Sequence, residues 1–175
     1  MPLQADEILV QARLNRVREH IECENRHDLP GIMNTVAPDA QYDDVPWLEK
    51  STGHDGVRAY YTQLLKSLPD LQVEVRHWHV AGDTIVVETT IRGTHLGAWR
   101  GLPATGRRVE FPLCGIFTFD EDERIAGERI YYDRATVLRQ LGVFHEPETM
   151  FGGIVTAAMH PVTMARAVVT TLRRR

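Results

Sequence analysis

Six consecutive residues, Glu128-Arg129-Ile130-Tyr131-Tyr132-Asp133, set two carboxyls, a guanidinium and two phenols around one isoleucine. In an extended strand the side chains alternate. Glu128, Ile130 and Tyr132 then share one face, and Arg129, Tyr131 and Asp133 the other. A carboxyl on an apolar face is pushed up in pKa by burial and can take or give a proton near neutrality. The plainer alternative pairs Glu128 with an arginine at a rim or a dimer interface. Asp44 is a second candidate acid; its plainer role is a turn residue before Pro46. His20 lies beside Val17 and Ile21 on a helix, where an imidazole could donate a hydrogen bond or move a proton. A surface or satisfied core histidine is the alternative there. The candidate catalytic set is therefore His20, Asp44, Glu128 and Tyr132. Asp44 or Glu128 would move the proton, and His20 or Tyr132 would stabilise developing oxyanion charge.

Around that set, Trp47, Tyr60, His95, Trp99 and Ile130 are the candidate substrate-binding residues. His95, Trp99 and Arg100 fall in a Gly-rich loop spanning 93–106, and loops on rigid scaffolds often carry binding groups. His77 and His79, two apart on a strand, could share a metal, but no third ligand falls at a matching position. They are read as a solvated or partner-facing surface, and no metal or cofactor is expected. The Gly101–Arg107 stretch lacks the spacing of a phosphate-binding loop.

The elements that must position these residues follow from periodicity. Val10, Leu14, Val17 and Ile21 make one apolar stripe in a helix over 4–26. Asp28 caps a second, shorter helix with Pro30 in its first turn, running to about residue 36. A short strand ends at Pro46, and a third helix spans 54–67. The period then changes to two. Residues 71–81, 83–93, 107–119 and 124–132 are rich in Val, Ile, Thr, Phe and Tyr and are separated by turn signals. A short helix over 134–141 ends at Gly142. Helices first and a meander after imply an α+β fold with a cavity between helices and sheet. Exposed strand residues, Trp78 among them, fit pairing of two copies through the outer face of the sheet.

The chain has 175 residues, 43% apolar and 25% charged, with a formal charge of −4. That is about one domain, large enough for a core without disulfides or metal. The negative balance argues against nucleic acid as a partner. Cys23 and Cys114 are far apart and read as reduced thiols in a cytoplasmic protein. No signal peptide and no membrane span is expected. The segment from Pro147 onward is apolar, broken near Pro161, and ends in Arg173-Arg174-Arg175. It could cover the cavity mouth or lie on a partner subunit; a membrane-surface role is the weaker alternative.

Three stretches carry a resemblance: residues 52–71, "TGHDGVRAYYTQLLKSLPDL"; residues 92–112, "RGTHLGAWRGLPATGRRVEFP"; and residues 128–142, "ERIYYDRATVLRQLG". Together they resemble the SnoaL-like polyketide cyclases within the nuclear transport factor 2-like superfamily, over about residues 8–143. The resemblance implies three N-terminal helices packed on a strongly curved antiparallel sheet, a domain over 1–146, and a helical extension over 147–175. It implies a homodimer as well. The family's acid/base aspartate on the last strand falls at Ile130, and its histidine on the preceding strand at about Gly115. The Arg-x-Asp pair of the related limonene epoxide hydrolases falls near Arg92-Gly93-Thr94. In the ketosteroid-isomerase branch, the spacing from Asp28-Leu29 puts the general base at Asp44 and the oxyanion tyrosine at His20. The implied function is cofactor-independent acid/base proton transfer on a small apolar, polycyclic or carbonyl-bearing molecule, of cyclase, isomerase or dehydratase type. The alternative is a non-catalytic binding or dimeric accessory protein of the same fold.

Overall fold

A computed structural model describes residues 2–173, with side chains from Glu7 onward. The chain forms two compact units, one through Leu141 and one from Gly142. In the first unit, α1 (Pro2–Asn25) and α2 (Leu29–Thr35) precede β1 (Val36–Asp44), a single 3₁₀ turn (Val45–Trp47) and β2 (Glu49–Thr52). Helix α3 (Gly53–Ser67) follows, then β3 (Gln72–Ala81), β4 (Thr84–Thr94), β5 (Arg108–Phe119), β6 (Ile125–Tyr131) and α4 (Arg134–Gln140). The second unit holds α5 (Met150–Met159) and α6 (Pro161–Leu172).

Local chemistry sets the helix starts. Asp28 accepts the Gly31 N–H and so caps α2, while Pro30 costs no hydrogen bond in the first turn. Asp133 accepts the N–H groups of Ala135 and Thr136 and starts α4 directly after the last strand. That capping role takes Asp133 out of the candidate chemistry.

The sheet is a single curved layer in the order β2-β1-β6-β5-β4-β3. Its neighbours are antiparallel except β1 and β6, which run parallel. That pairing brings Asp44 level with Ile130. Strand β2 is a short addition on the outside of β1 that the alternation pattern does not announce. A bulge between Val75 and His77 changes the phase of β3. Beyond it, Trp78 pairs with Val87, whose side chain is fully buried, and the Arg18 guanidinium of α1 stacks 5.3 Å from the Trp78 ring. Trp78 therefore belongs to the helix-covered face, not to the outer face to which the sequence reading assigns it; lying between the outward His77 and His79, it is turned inward by alternation. His77 and His79 do face outward, where both bond to Glu88.

Two apolar clusters fill the space between helices and sheet. One joins Val17 and Ile21 of α1 to Val87, Ile91, Phe111 and Phe117 of the sheet. The other joins Ile32, Met33, Val57 and Tyr61 of the helices to Ala40, Tyr42 and Ile130. Each fully buried Ile or Val contributes about 1.5–3 kcal/mol, so the two clusters together fix the wall positions of whatever lies between them.

Candidate active site

A cavity of about 60 Å³ lies between the two clusters. Its wall is apolar apart from a few groups: the carboxyls of Glu24 and Glu128, the hydroxyl of Thr89, and the phenols of Tyr42, Tyr60 and Tyr132. The space holds a few waters or a small ring substituent. A larger, 500 Å³ cleft lies alongside, and Tyr60, Leu64 and Trp99 line both. Those three side chains border both spaces.

Behind one end of the cavity is an acid-rich cluster. His20 is fully buried. Its Nδ1 lies 2.6 Å from Thr35 Oγ1, and the Thr35 hydroxyl itself donates to the Ile32 carbonyl at 2.6 Å. Thr35 Oγ1 is thus left as acceptor, which assigns the proton to Nδ1. Nε2 faces the Tyr61 hydroxyl at 2.8 Å and Glu128 Oε2 at 3.5 Å. Tyr61 donates to Glu128 Oε2 at 3.1 Å and also bears on the Glu24 carboxyl. One imidazole and one phenol thereby connect two buried carboxyls.

Burial lowers the His20 pKa, but the hydrogen bond to Glu128 and the charges of Glu24 and Glu128 outweigh it, so the net shift is upward. Burial pushes the Glu24 carboxyl up to about 7; His20 opposes the rise and Glu128 adds to it. Glu24 therefore changes charge near neutrality, in contact with the cavity.

Behind the other end is an arginine-compensated cluster. Asp44 is fully buried, and its Oδ2 accepts Arg100 Nη2 at 2.7 Å. The Tyr60 and Tyr132 hydroxyls donate to the same oxygen at 3.3 and 3.4 Å. Oδ1 has no partner of good hydrogen-bond geometry. Burial raises the Asp44 pKa; Arg100, the two phenols and the Trp47 amide pull it back without cancelling the rise.

Arg100 is held in turn by Glu49 through Nη1 and by the faces of Trp47 and Trp99, 5.2 and 5.7 Å from its guanidinium carbon. It occupies a two-residue turn in which Trp99 and Leu102 exchange backbone hydrogen bonds of 2.9 and 2.8 Å. Both central residues have positive φ, 53° at Arg100 and 79° at Gly101. Gly101 meets that need freely, but a left-handed arginine costs about 1 kcal/mol. The loop is anchored upstream, where the Leu96 and Gly97 amides bond to the Ser67 carbonyl at the end of α3. A Cβ on Gly97 would sit 2.2 Å from the Lys66 carbonyl oxygen, so only glycine permits that approach.

The sequence-derived candidates thus divide. Glu128, Tyr132, Tyr60, Trp99 and Ile130 line the cavity. His20 and Asp44 stand behind it, His20 against Tyr61 and Glu128, Asp44 against Tyr60 and Tyr132. Trp47 stacks on Trp99 at 5.3 Å and supports Arg100. His95 lies away from the chemistry. Its ring bonds Thr105 inside the loop, and burial lowers its pKa, keeping it neutral. Tyr61, Thr35, Glu24 and Arg100 complete the two clusters without belonging to the candidate set. Glu24 had a readable signal: it is four residues after His20 and three after Ile21, on the buried stripe.

Ile130 and Gly115, where the resemblance expects an aspartate and a histidine, are direct partners across β5 and β6. The Phe117 ring covers Gly115, with a ring carbon 3.0 Å from where a Cβ would be. The acids of this cavity come instead from Glu128, one side-chain repeat earlier on β6, and from Glu24 on α1. Among the described residues, no group of three or more His, Cys, Asp or Glu is arranged to hold a metal.

A family model described as SnoaL-like polyketide cyclase matches residues 15–141. Among solved structures, AclR from Streptomyces galilaeus, a proposed hydroxylase, is 25% identical with a TM-score of 0.65, covering 76% of this chain and 97% of its own. IdmH from Streptomyces antibioticus, a proposed polyketide cyclase, is 24% identical with a TM-score of 0.63, covering 75% and 99%. A proposed SnoaL-like cyclase from Jannaschia sp. CCS1 is 20% identical with a TM-score of 0.67, covering 75% and 92%. No curated protein matches the sequence.

Proposed function

The chain belongs to the SnoaL-like polyketide cyclase family, and we propose that it acts within it as a cofactor-independent acid/base enzyme on a small apolar, carbonyl-bearing molecule. The observation that carries this reading is the pair of carboxyls, Glu24 and Glu128, on the wall of an otherwise apolar cavity. With a pKa near 7, Glu24 is available both as base and as acid at neutral pH. In its ionised form it would accept a proton from carbon next to the substrate carbonyl. The negative charge would then develop on the carbonyl oxygen. Tyr60 and Tyr132 bond to Asp44 at long distances, so either hydroxyl is easily redirected toward that oxygen. Arg100 would keep Asp44 supplied with a strong partner while the phenols turn. His20, Tyr61 and Glu128 would hold the proton and return it to a different atom, which is what isomerisation, aldol-type cyclisation and dehydration have in common.

Pairing of two copies through the outer sheet face belongs to the same reading. Arg92 there bonds both Glu74 and Glu110, a row of charges that a partner could share.

The test is hydrogen–deuterium exchange at carbon in a panel of polycyclic ketones, followed by NMR. The wild type should accelerate exchange in at least one compound, and Glu24→Gln should lose about 10²–10⁴-fold of that rate. Binding without exchange across the panel would favour the non-catalytic reading, to which the apolar Ile130 and the ring-covered Gly115 also point.

A further inference from the structure

The segment from Thr149 to Arg175 contains four arginines and no aspartate or glutamate, in a chain whose formal charge is −4. It builds two short helices, α5 and α6, divided at His160-Pro161. Thr149 caps the first by accepting the Gly152 N–H. Every described residue from 157 to 173 is exposed. Large apolar side chains among those of the two helices are open to solvent, including Phe151, Ile154, Met159, Val162 and Leu172 at 63–71%. Within the described part of this unit only Gly152 is buried, so its helices have no core of their own to fill.

The sequence of α6 sorts these residues by face. Val162, Ala165, Val169 and Leu172 recur at i, i+3, i+7 and i+10, one apolar stripe. Arg166 and Arg173 fall along one edge of that stripe, as cations do when a helix lies flat and its long side chains reach out to headgroups. Neither helix is long and apolar enough to cross a bilayer.

We propose that residues 149–175 dock the protein on an anionic phospholipid surface. The apolar stripe of α6 enters the acyl boundary, and Arg166 with the 173–175 cluster meets lipid phosphates. Charge argues for this occupant: the segment carries four arginines and no acid, a balance that an anionic surface neutralises. The mobile thioethers of Met150, Met159 and Met164 suit an irregular lipid boundary. This inference uses no part of the acid/base reading and stands or falls separately from it.

The experiment is co-sedimentation of the full chain with vesicles of phosphatidylcholine alone and of phosphatidylcholine mixed with phosphatidylglycerol, at low and high salt. The expected result is binding to the mixed vesicles, weakened by salt, with little binding to the neutral ones. The triple variant Arg173→Gln, Arg174→Gln, Arg175→Gln should bind the mixed vesicles about 100-fold more weakly, about fivefold for each arginine. The double variant Val169→Asp, Leu172→Asp should also release the protein, while both variants keep the wild-type unfolding temperature. Equal binding to both vesicle types, or binding to neither, overturns the proposal. So does a concentration-dependent dimer, seen by light scattering, that the Asp variant abolishes while wild type ignores vesicles.

Discussion

Two buried carboxyl clusters flank the same cavity, and they differ in the cation that faces them. Asp44 has a guanidinium at 2.7 Å. Glu24 and Glu128 have an imidazole and a shared phenol. A guanidinium keeps its charge at every pH that proteins tolerate, so it fixes the charge pattern around Asp44. An imidazole can lose its charge near neutrality, so the charge pattern beside Glu24 varies with pH. Similar burial thus goes with a fixed cation in one cluster and a titratable one in the other.

Loss of Arg100 should have the largest effect on stability. In Arg100→Ala the Asp44 carboxylate stays buried without its cation, and breaking such a pair costs about 3–5 kcal/mol. Urea unfolding at neutral pH measures it. The Asp44 pKa already lies above its ordinary value and rises further in this variant. The native state then holds a proton that the unfolded state has released, so the variant should regain stability as pH falls toward 4. A variant equally unstable at both pH values would mean that Arg100 matters through its stacking on Trp47 and Trp99.

The acid-rich cluster shows the same sign of pH dependence already in the wild type. Glu24 and His20 both have raised pKa values. For each, the folded state binds protons more tightly than the unfolded state, so stability falls as pH rises. The Glu24 contribution spans the range from its ordinary value up to about 7, and that of His20 begins above 6.5. The wild type should be most stable at mildly acidic pH, with a decline on the order of 2 kcal/mol toward pH 8. Glu24→Gln should flatten most of that slope in a series of thermal melts. If the chain catalyses proton abstraction through ionised Glu24, kcat/KM should climb through about pH 7, the reverse of the stability trend.

Smaller effects sharpen the contrast. Tyr61→Phe removes the hydroxyl between His20 and Glu128 and should cost about 1–2 kcal/mol in chemical unfolding. Tyr132→Phe loses only a 3.4 Å bond to an acid that retains Arg100. It should cost under about 1 kcal/mol. A costlier Tyr132→Phe would mean that Asp44 depends on its phenols more than on Arg100.

Much of this is legible in the sequence. Val17 and Ile21 announce the face on which His20 sits, and strand alternation alone aims Glu128, Ile130 and Tyr132 at one side. Glu24 is harder to read, because an acid near the end of a helix is ordinarily solvated, although its spacing from His20 puts it on the buried stripe. Arg100 was visible as a loop residue, but its partner is 56 positions away in sequence. Nothing local connects a turn after β4 with the end of β1. Trp78 faces inward because it alternates with the outward His77 and His79, and the bulge at Val75/His77 is what sets that phase. Local rules carried the helices and strands; the long-range closures that make the clusters needed the fold.

The Phe117 ring resting on Gly115 makes these two positions a coupled pair. A Cβ at 115 would lie 3.0 Å from a ring carbon, so any side chain there asks the ring to give by a few tenths of an ångström. Truncating Phe117 to make the room would instead open a void in the core at a cost of about 3–5 kcal/mol. A redesign that brings a histidine to 115 therefore has to treat the two residues together, and the double variant should cost less than the sum of the singles.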